Sequence, residues 1–193
     1  SNKVLATEAM ARLSGLENTI PHAAYMKVCV TDADNCMIFG SFMEKAQGMC
    51  AMDIPPERRR AVLTPEFQRS LLNMNLLDVI CHELDHSPNN YNVVLNAAGN
   101  AVDVSVYDNN GLGTFSLNSS IDYQTYKKCS SIVNAQNRIN RPCLDKAVVM
   151  SIMNLRFRDV YDAIYPFYKI SIILCTWKRI VKLKRAIRKS MCA

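Results

Sequence analysis

The sequence predicts an α+β fold, in which a helix and a short antiparallel sheet precede a mainly helical part that carries a second hairpin. Short β-like runs come in two pairs, each pair joined by a turn-forming stretch: 24–31 with 36–42, and 91–95 with 101–107. Apolar residues recur at helical spacing in four other segments: 3–14, 65–80, 144–164 and 170–187. Of the 193 residues, 49% are hydrophobic, which excludes a disordered chain and allows a substantial core.

The elements of the first half have recognisable boundaries. The first helix is predicted to end at Gly15, and the first hairpin turns at residues 32–35 before it leads into residues 43–48. Residues 49–63 are predicted to be a linker. The second helix should start at Thr64, because a hydroxyl at the N-cap and Pro65 at the first helical position are typical of a helix start. Its apolar residues point in most directions, which predicts a buried helix.

The second half is predicted to contain a polar loop, the second hairpin and two further helices. Residues 116–140 are polar and show no periodicity, so we expect a surface loop there. A single helix is expected over 144–164, and Pro166 should separate it from a basic amphipathic helix over 170–187. The net charge is +6, and removing the seven lysines and arginines between 178 and 189 leaves −1, so the basic character belongs to this tail.

Three polar residues around the second hairpin form the main candidate site. Asp85 and Asn90 lie five residues apart in the loop before the hairpin, and Asp108 follows its second strand. Metal-assisted phosphoryl transfer uses this combination, because one carboxylate orients the attacking hydroxyl while an amide and a second carboxylate hold magnesium on the phosphates. The same residues also fit a polar helix end without chemistry.

The segment from His82 to His86 reads H-E-L-D-H and allows a second interpretation. On a helix, this spacing places two imidazoles on one face to bind zinc, with Glu83 as the general base of a hydrolase. However, Pro88 predicts an early end of the helix, and the only other histidine that might supply a third ligand, His22, lies far upstream. Both interpretations stay open at the level of the sequence.

The blocks 76–80, 85–91 and 106–109 resemble, in order and spacing, the catalytic core of the protein-kinase-like superfamily. The closest resemblance is to its atypical branch of phosphoinositide kinases, actin-fragmin kinase and related bacterial kinases, and it covers roughly residues 3–160. It implies ATP and Mg²⁺ as cofactors, Asp85 as the catalytic residue, and Asn90 and Asp108 as metal ligands. The usual D-F-G at the second acid is replaced by Asp-Asn-Asn-Gly.

The resemblance also implies a nucleotide-binding part. Glu8 is then the helix glutamate that pairs with a phosphate-binding lysine, and Met43, Glu44 and Ala46 belong to a hinge that binds the adenine edge. The expected division is a partial small lobe with hinge (1–48), a large lobe (49–168) and a basic C-terminal helix (169–193). A glycine-rich loop and a strand lysine are not found, so we expect the chain to be a fragment of a longer enzyme.

The expected function is transfer of the ATP γ-phosphoryl group to a hydroxyl of a protein or lipid. The alternatives are a catalytically inactive kinase-like binding module, docked on acidic lipid or protein through residues 169–193, and the zinc hydrolase. No nucleic-acid partner is expected. The eight scattered cysteines suggest free thiols in a reducing compartment, so we expect a cytoplasmic protein. Two alternatives stay open: a bacterial effector that acts in a host cell, and membrane-peripheral placement through the tail.

Overall fold

The structure, a computed structural model, describes residues 2–30, 36–55, 64–83, 88–107 and 144–191. The described residues form an α+β fold, as the sequence predicts, and they contain five α-helices and two small antiparallel sheets. The elements in chain order are α1 (Asn2–Leu13), β1 (Ala23–Val30), β2 (Cys36–Met43), β3 (Met49–Cys50), α2 (Pro65–Cys81), β4 (Tyr91–Leu95), β5 (Ala101–Val106), α3 (Lys146–Asn154), α4 (Phe157–Ile164) and α5 (Ile170–Met191).

The two predicted hairpins are both present. β1 and β2 form a two-stranded ribbon, while β4 lies between β3 and β5 in a three-stranded sheet. The turn between β4 and β5 is closed by the side chain of Asn96, which accepts hydrogen bonds from the backbone N–H groups of Ala98 and Asn100, both at 3.0 Å. Gly99 has a φ of +79°, a conformation that glycine adopts without a steric cost. β5 ends at Val106, one residue earlier than predicted.

α2 begins where the sequence predicts and is attached to β5 at that point. The Thr64 hydroxyl oxygen caps the helix by accepting a hydrogen bond from the Phe67 N–H at 3.2 Å. The same hydroxyl donates to the carbonyl of Ala101, the first residue of β5. From there α2 packs against β5, and its second half is buried as predicted.

The helices share one core with this sheet. α5 packs on α2, α3 and α4, while α1 packs on α4 and α2. The most deeply buried large side chains come from α1, α2, α3, α4 and α5 and from the turn after α1: Met10, Leu16, Leu76, Leu77, Ile80, Ile152, Ile164, Ile173, Ile180 and Leu183. The core therefore includes residues from both sides of the expected boundary at residue 48, and that boundary stays a prediction.

The prediction of one continuous helix over 144–164 is wrong, because α3 and α4 are separate helices. The chain is extended at Leu155 and Arg156, and Leu155 is buried there. The Asp159 carboxylate accepts a hydrogen bond from the Arg156 N–H at 2.8 Å and pairs with its guanidinium at 3.0 Å. A new helix start thus interrupts an apolar periodicity that continues through it.

The C-terminal helix extends further than predicted, to Met191, and packs against the rest of the protein. Among the described residues, no helix is both long enough and apolar enough to cross a membrane. The predicted hairpin tip at 32–35 and the predicted loop over 116–140 lie outside the described residues.

Candidate functional site

The last turn of α2 leads into the loop that carries the candidate residues. The helix ends at Cys81, and His82 adopts the left-handed conformation with a φ of 60°. The backbone N–H groups of His82 and Glu83 both donate to the Asp78 carbonyl, and the side chains of all three residues are buried. This geometry closes the helix end in the way that a C-capping motif does.

This helix end bears on the zinc interpretation. A zinc site of the H-E-x-x-H type needs both histidines on one helix, four residues apart. α2 ends before His82, so the first histidine already lies outside the helix. His86 lies outside the described residues.

Arg179 of α5 ties the end of α2 to the C-terminal helix. Its guanidinium is 3% exposed, and Nε donates to the Ile80 carbonyl at 3.0 Å while Nη2 donates to the Thr176 hydroxyl at 2.9 Å. Burial lowers the pKa of Arg179 to about 10 and raises the pKa of neighbouring Cys81 to about 12. The last carbonyls of α2 thus have a charged donor, which stabilises the helix end.

Tyr107 joins the end of β5 to the end of the candidate loop. Its backbone N–H donates to the Asn90 carbonyl at 3.3 Å, and its hydroxyl donates to the Asn89 carbonyl. The hydroxyl also lies 3.8 Å from the Cys50 sulfur, and that thiol lies 3.5 Å from the Pro88 carbonyl oxygen. Asn90 is therefore held beside Tyr107, the residue that precedes Asp108 in the sequence.

The predicted hinge is held against β4. The Asn92 side-chain amide donates to the carbonyls of Ala46, at 3.2 Å, and Gly48, at 3.4 Å. The Glu44 N–H donates to the His22 carbonyl at 2.8 Å, and Met43 pairs with Ala23 at the end of the ribbon. Two backbone groups of the predicted hinge, the Glu44 N–H and the Ala46 carbonyl, are thus already hydrogen-bonded within the chain. A carbonyl has a second lone pair for a further donor.

Gly48 is the position where the hinge comes closest to β4. It has a φ of +88°, and a Cβ placed there would overlap the Val93 carbonyl. Only glycine allows both this conformation and this approach of the two backbones.

Glu8 contacts two basic side chains of its own neighbourhood. Its Oε1 lies 2.6 Å from Arg12 Nη2 and 2.5 Å from His22 Nδ1. His22 and Glu44 also line a cavity of about 390 Å³ between the turn after α1, the hinge and β5. The structure therefore places Glu8 near the hinge through His22, and its partners are Arg12 and His22, not the lysine that the resemblance implies.

Of the predicted site residues, Asn90, Glu8, Met43, Glu44 and Ala46 lie within the described part of the chain. Asp85 and Asp108 do not. In that described part, no three histidine, cysteine, aspartate or glutamate side chains lie close enough together to hold a metal ion. The assignments of the catalytic Asp85 and of the ligands Asn90 and Asp108 stay predictions.

Sequence reasoning missed the residues that connect these segments: Cys50, Asn92 and Tyr107. Asn92 was the one with a signal, because asparagine is depleted in strands and its presence inside a β-like run indicates a specific hydrogen bond. Nothing in the sequence distinguishes Tyr107 from an ordinary aromatic residue of a strand. It joins β5 to the candidate loop through hydrogen bonds to Asn89 and Asn90, which lie 18 and 17 positions earlier in the sequence.

A scan of known protein families and a search of curated proteins each found no match to this chain. The kinase-like assignment therefore stays a prediction from the sequence resemblance.

Proposed function

We propose that this chain is part of a kinase-like phosphotransferase that moves the ATP γ-phosphoryl group to a hydroxyl of a protein or lipid. In this proposal Asp85 orients the acceptor hydroxyl and accepts its proton, while Asn90 and Asp108 hold Mg²⁺ on the phosphates. Such catalysis consists mainly of positioning and charge stabilisation, so it needs a rigid support for the three side chains.

The observation that carries the proposal is that α2 and β5 start at the same place and pack against each other. The two elements start together at the hydrogen bond between Thr64 and Ala101 and pack side by side. The 17 residues of α2 span about 25 Å, since a helix rises 1.5 Å per residue. The six residues of β5 span about 20 Å at the rise of a strand. The chain is described as far as Glu83 after α2 and as far as Tyr107 after β5, and Asp85 and Asp108 follow these residues closely in the sequence.

The positions of Asn90 and of the hinge also support a nucleotide-binding site beside the β4–β5 hairpin. Asn90 is bound to Tyr107 at this end, and Asn92, two residues further along, holds the hinge carbonyls of Ala46 and Gly48. Two residues of extended chain correspond to roughly 7 Å. A bound nucleotide would have its base at the hinge and its phosphates at the end of the hairpin.

Substitution of the two acids tests the proposal. We expect Asp85→Ala to lower phosphoryl transfer from γ-labelled ATP by at least about a hundredfold, the usual contribution of a positioned acid or base, while it leaves nucleotide binding intact. Asp108→Ala should instead weaken the Mg²⁺-dependent binding of a fluorescent ATP analogue. The matched control is Asp53→Ala, an exposed aspartate in the short 3₁₀ turn after β3, which should change neither measurement.

Two results would reject the assignment. One is an Asp85→Ala protein with unchanged transfer, and the other is a wild-type chain that binds no nucleotide in the presence of Mg²⁺. Metal analysis tests the hydrolase alternative. If the wild-type protein contains one equivalent of zinc and His82→Ala contains none, the zinc hydrolase is favoured instead.

A further inference from the structure

α5 has two opposite faces with different environments. Successive residues of an α-helix are rotated by about 100°, so each residue has a defined place around the axis. The buried residues fall within one arc of about 120° on this wheel: Ile173, Thr176, Arg179, Ile180, Leu183 and Ile187. The exposed apolar and charged residues fall within an arc of about 100° on the other side: Ile170, Leu174, Lys178, Arg185, Arg188 and Lys189. We call this second set the outer face.

Six of the seven cations of the tail fall into two groups, and the seventh, Lys182, is half-buried. Arg179 is buried against α2, and Lys184 donates to the Leu155 carbonyl and lies 5.2 Å from the centre of the Trp177 ring. Both are therefore used inside the protein. The four cations of the outer face are exposed, and α5 contains no acidic residue to neutralise them.

The neighbouring helix α4 does not supply the missing negative charge. Its two acids are paired within their own segment: Asp159 lies 3.0 Å from Arg156, and Asp162 lies 3.6 Å from Arg158. α4 and its N-cap thus add no net charge beside α5. The outer face keeps its positive potential.

We propose that the outer face of α5 docks on an anionic lipid bilayer. From Lys178 to Lys189 the helix rises about 16 Å, so four cations face one side within the width of a few headgroups. Ile170 and Leu174, 48% and 44% exposed, continue the same face towards the N-terminal end of the helix. A bilayer surface offers anionic phosphates and apolar chains together, whereas a nucleic-acid backbone offers no partner for these two apolar side chains.

The buried arc determines how α5 binds. The large apolar residues of the helix are in the core, so the helix cannot turn them towards lipid without unfolding the protein. Binding is therefore superficial: charge attraction with a small apolar contribution from Ile170 and Leu174. Attraction of this kind is reversible and decreases as salt shortens the screening length.

Vesicle co-sedimentation of the full chain tests the proposal. We expect binding to vesicles of phosphatidylcholine with phosphatidylserine and no binding to phosphatidylcholine alone, with loss of binding at about 0.5 M salt. The variant Lys178→Glu with Arg185→Glu should lower the partition coefficient by roughly thirtyfold or more, since each cation near an anionic surface contributes about fivefold. All substituted side chains are exposed, and circular dichroism should show an unchanged fold.

The control variant carries the same charge change elsewhere. Arg69→Glu with Lys146→Glu replaces exposed cations on α2 and α3 and should retain wild-type binding. Equal loss in both variants would mean that only net charge matters and would overturn the proposal, as would absence of binding to anionic vesicles at low salt. Binding to a short DNA duplex without binding to the vesicles would assign the face to nucleic acid instead.

Discussion

Cys81 in the last turn of α2 gives the end of this helix a measurable dependence on pH. Its side chain is 1% exposed, and burial raises the pKa of the thiol from 9.0 to about 12. Asp78 and Glu83 act in the same direction, and Arg179 acts against it. Above pH 9 the unfolded chain therefore loses a proton that the folded chain keeps. Stability must then fall as the pH rises, because the folded state binds more protons than the unfolded one.

Between pH 9 and 10 the fall through Cys81 is added to a smaller one of the same sign, because burial also raises the pKa values of Tyr91, Tyr161 and Tyr168. Above about pH 10 the lowered pKa of Arg179 acts with the opposite sign, because the folded chain then releases a proton that the unfolded chain keeps. Within the window we expect the free energy of unfolding to fall by about 1 kcal/mol through Cys81. Urea titrations across this range should show a fall in the wild type that is smaller by about 1 kcal/mol in Cys81→Ala.

Val79→Ala serves as the control, because it removes buried methyl groups from the same helix and leaves the thiol in place. It should be less stable at every pH and keep the same fall. If Cys81→Ala shows a fall as large as that of the wild type, the thiol does not contribute to it.

The attachment of α2 to β5 depends on one hydroxyl. Thr64 both caps the helix and donates to the Ala101 carbonyl, so Thr64→Ala should lower the free energy of unfolding by about 1–2 kcal/mol. Thr64→Ser keeps the hydroxyl and should lose less than about 0.5 kcal/mol. Urea unfolding measures both. Equal losses in the two variants would show that the threonine methyl group, and not the hydrogen bonds, supports the contact.

The elements that sequence reasoning predicted correctly are those with local signals. The start of α2 is given by Thr64 and Pro65, and the hairpin turn by the stretch 96–100; each of these signals acts within a few residues. The break at Arg156 was missed because the apolar spacing continues across it, while the Asp159 carboxylate that starts α4 looks like any helix acid in the sequence. Local polar contacts can override periodicity in this way.

The candidate site could be predicted only in part for a related reason. Asn90 was predicted because a family pattern places a carboxamide there. Tyr107 acts through long-range contacts that leave no pattern, and Asn92 gives only the signal of an asparagine inside a strand. The hinge is equally hard to predict, because binding through backbone groups requires no particular side chain. Only the structure shows that the Ala46 carbonyl already accepts a hydrogen bond from Asn92.

At the scale of the whole molecule, α1 is buried in the core that the helices form, although it also contacts both strands of the ribbon that follows it. Ala6, Met10 and Ala11 are fully buried in the common core. The ribbon of β1 and β2 instead exposes Tyr25 and Phe39, at 67% and 59%. A two-stranded hairpin is marginally stable on its own, so the ribbon should open more easily than the body of the protein.

Native-state hydrogen exchange should therefore show a change in amide protection within the expected small lobe, between α1 and the ribbon, and not at residue 48. We expect the amides of α1 to exchange only through the global unfolding that also exposes α2 and α5, while the ribbon amides exchange through a local opening of lower free energy. Met10→Ala should cost about 2–5 kcal/mol and lower the protection of all three helices together. Phe39→Ser, an exposed substitution in β2, should lower the protection of the ribbon alone. Joint loss of protection in α1 and the ribbon, with α2 and α5 unaffected, would instead establish residues 1–48 as a separate folding unit.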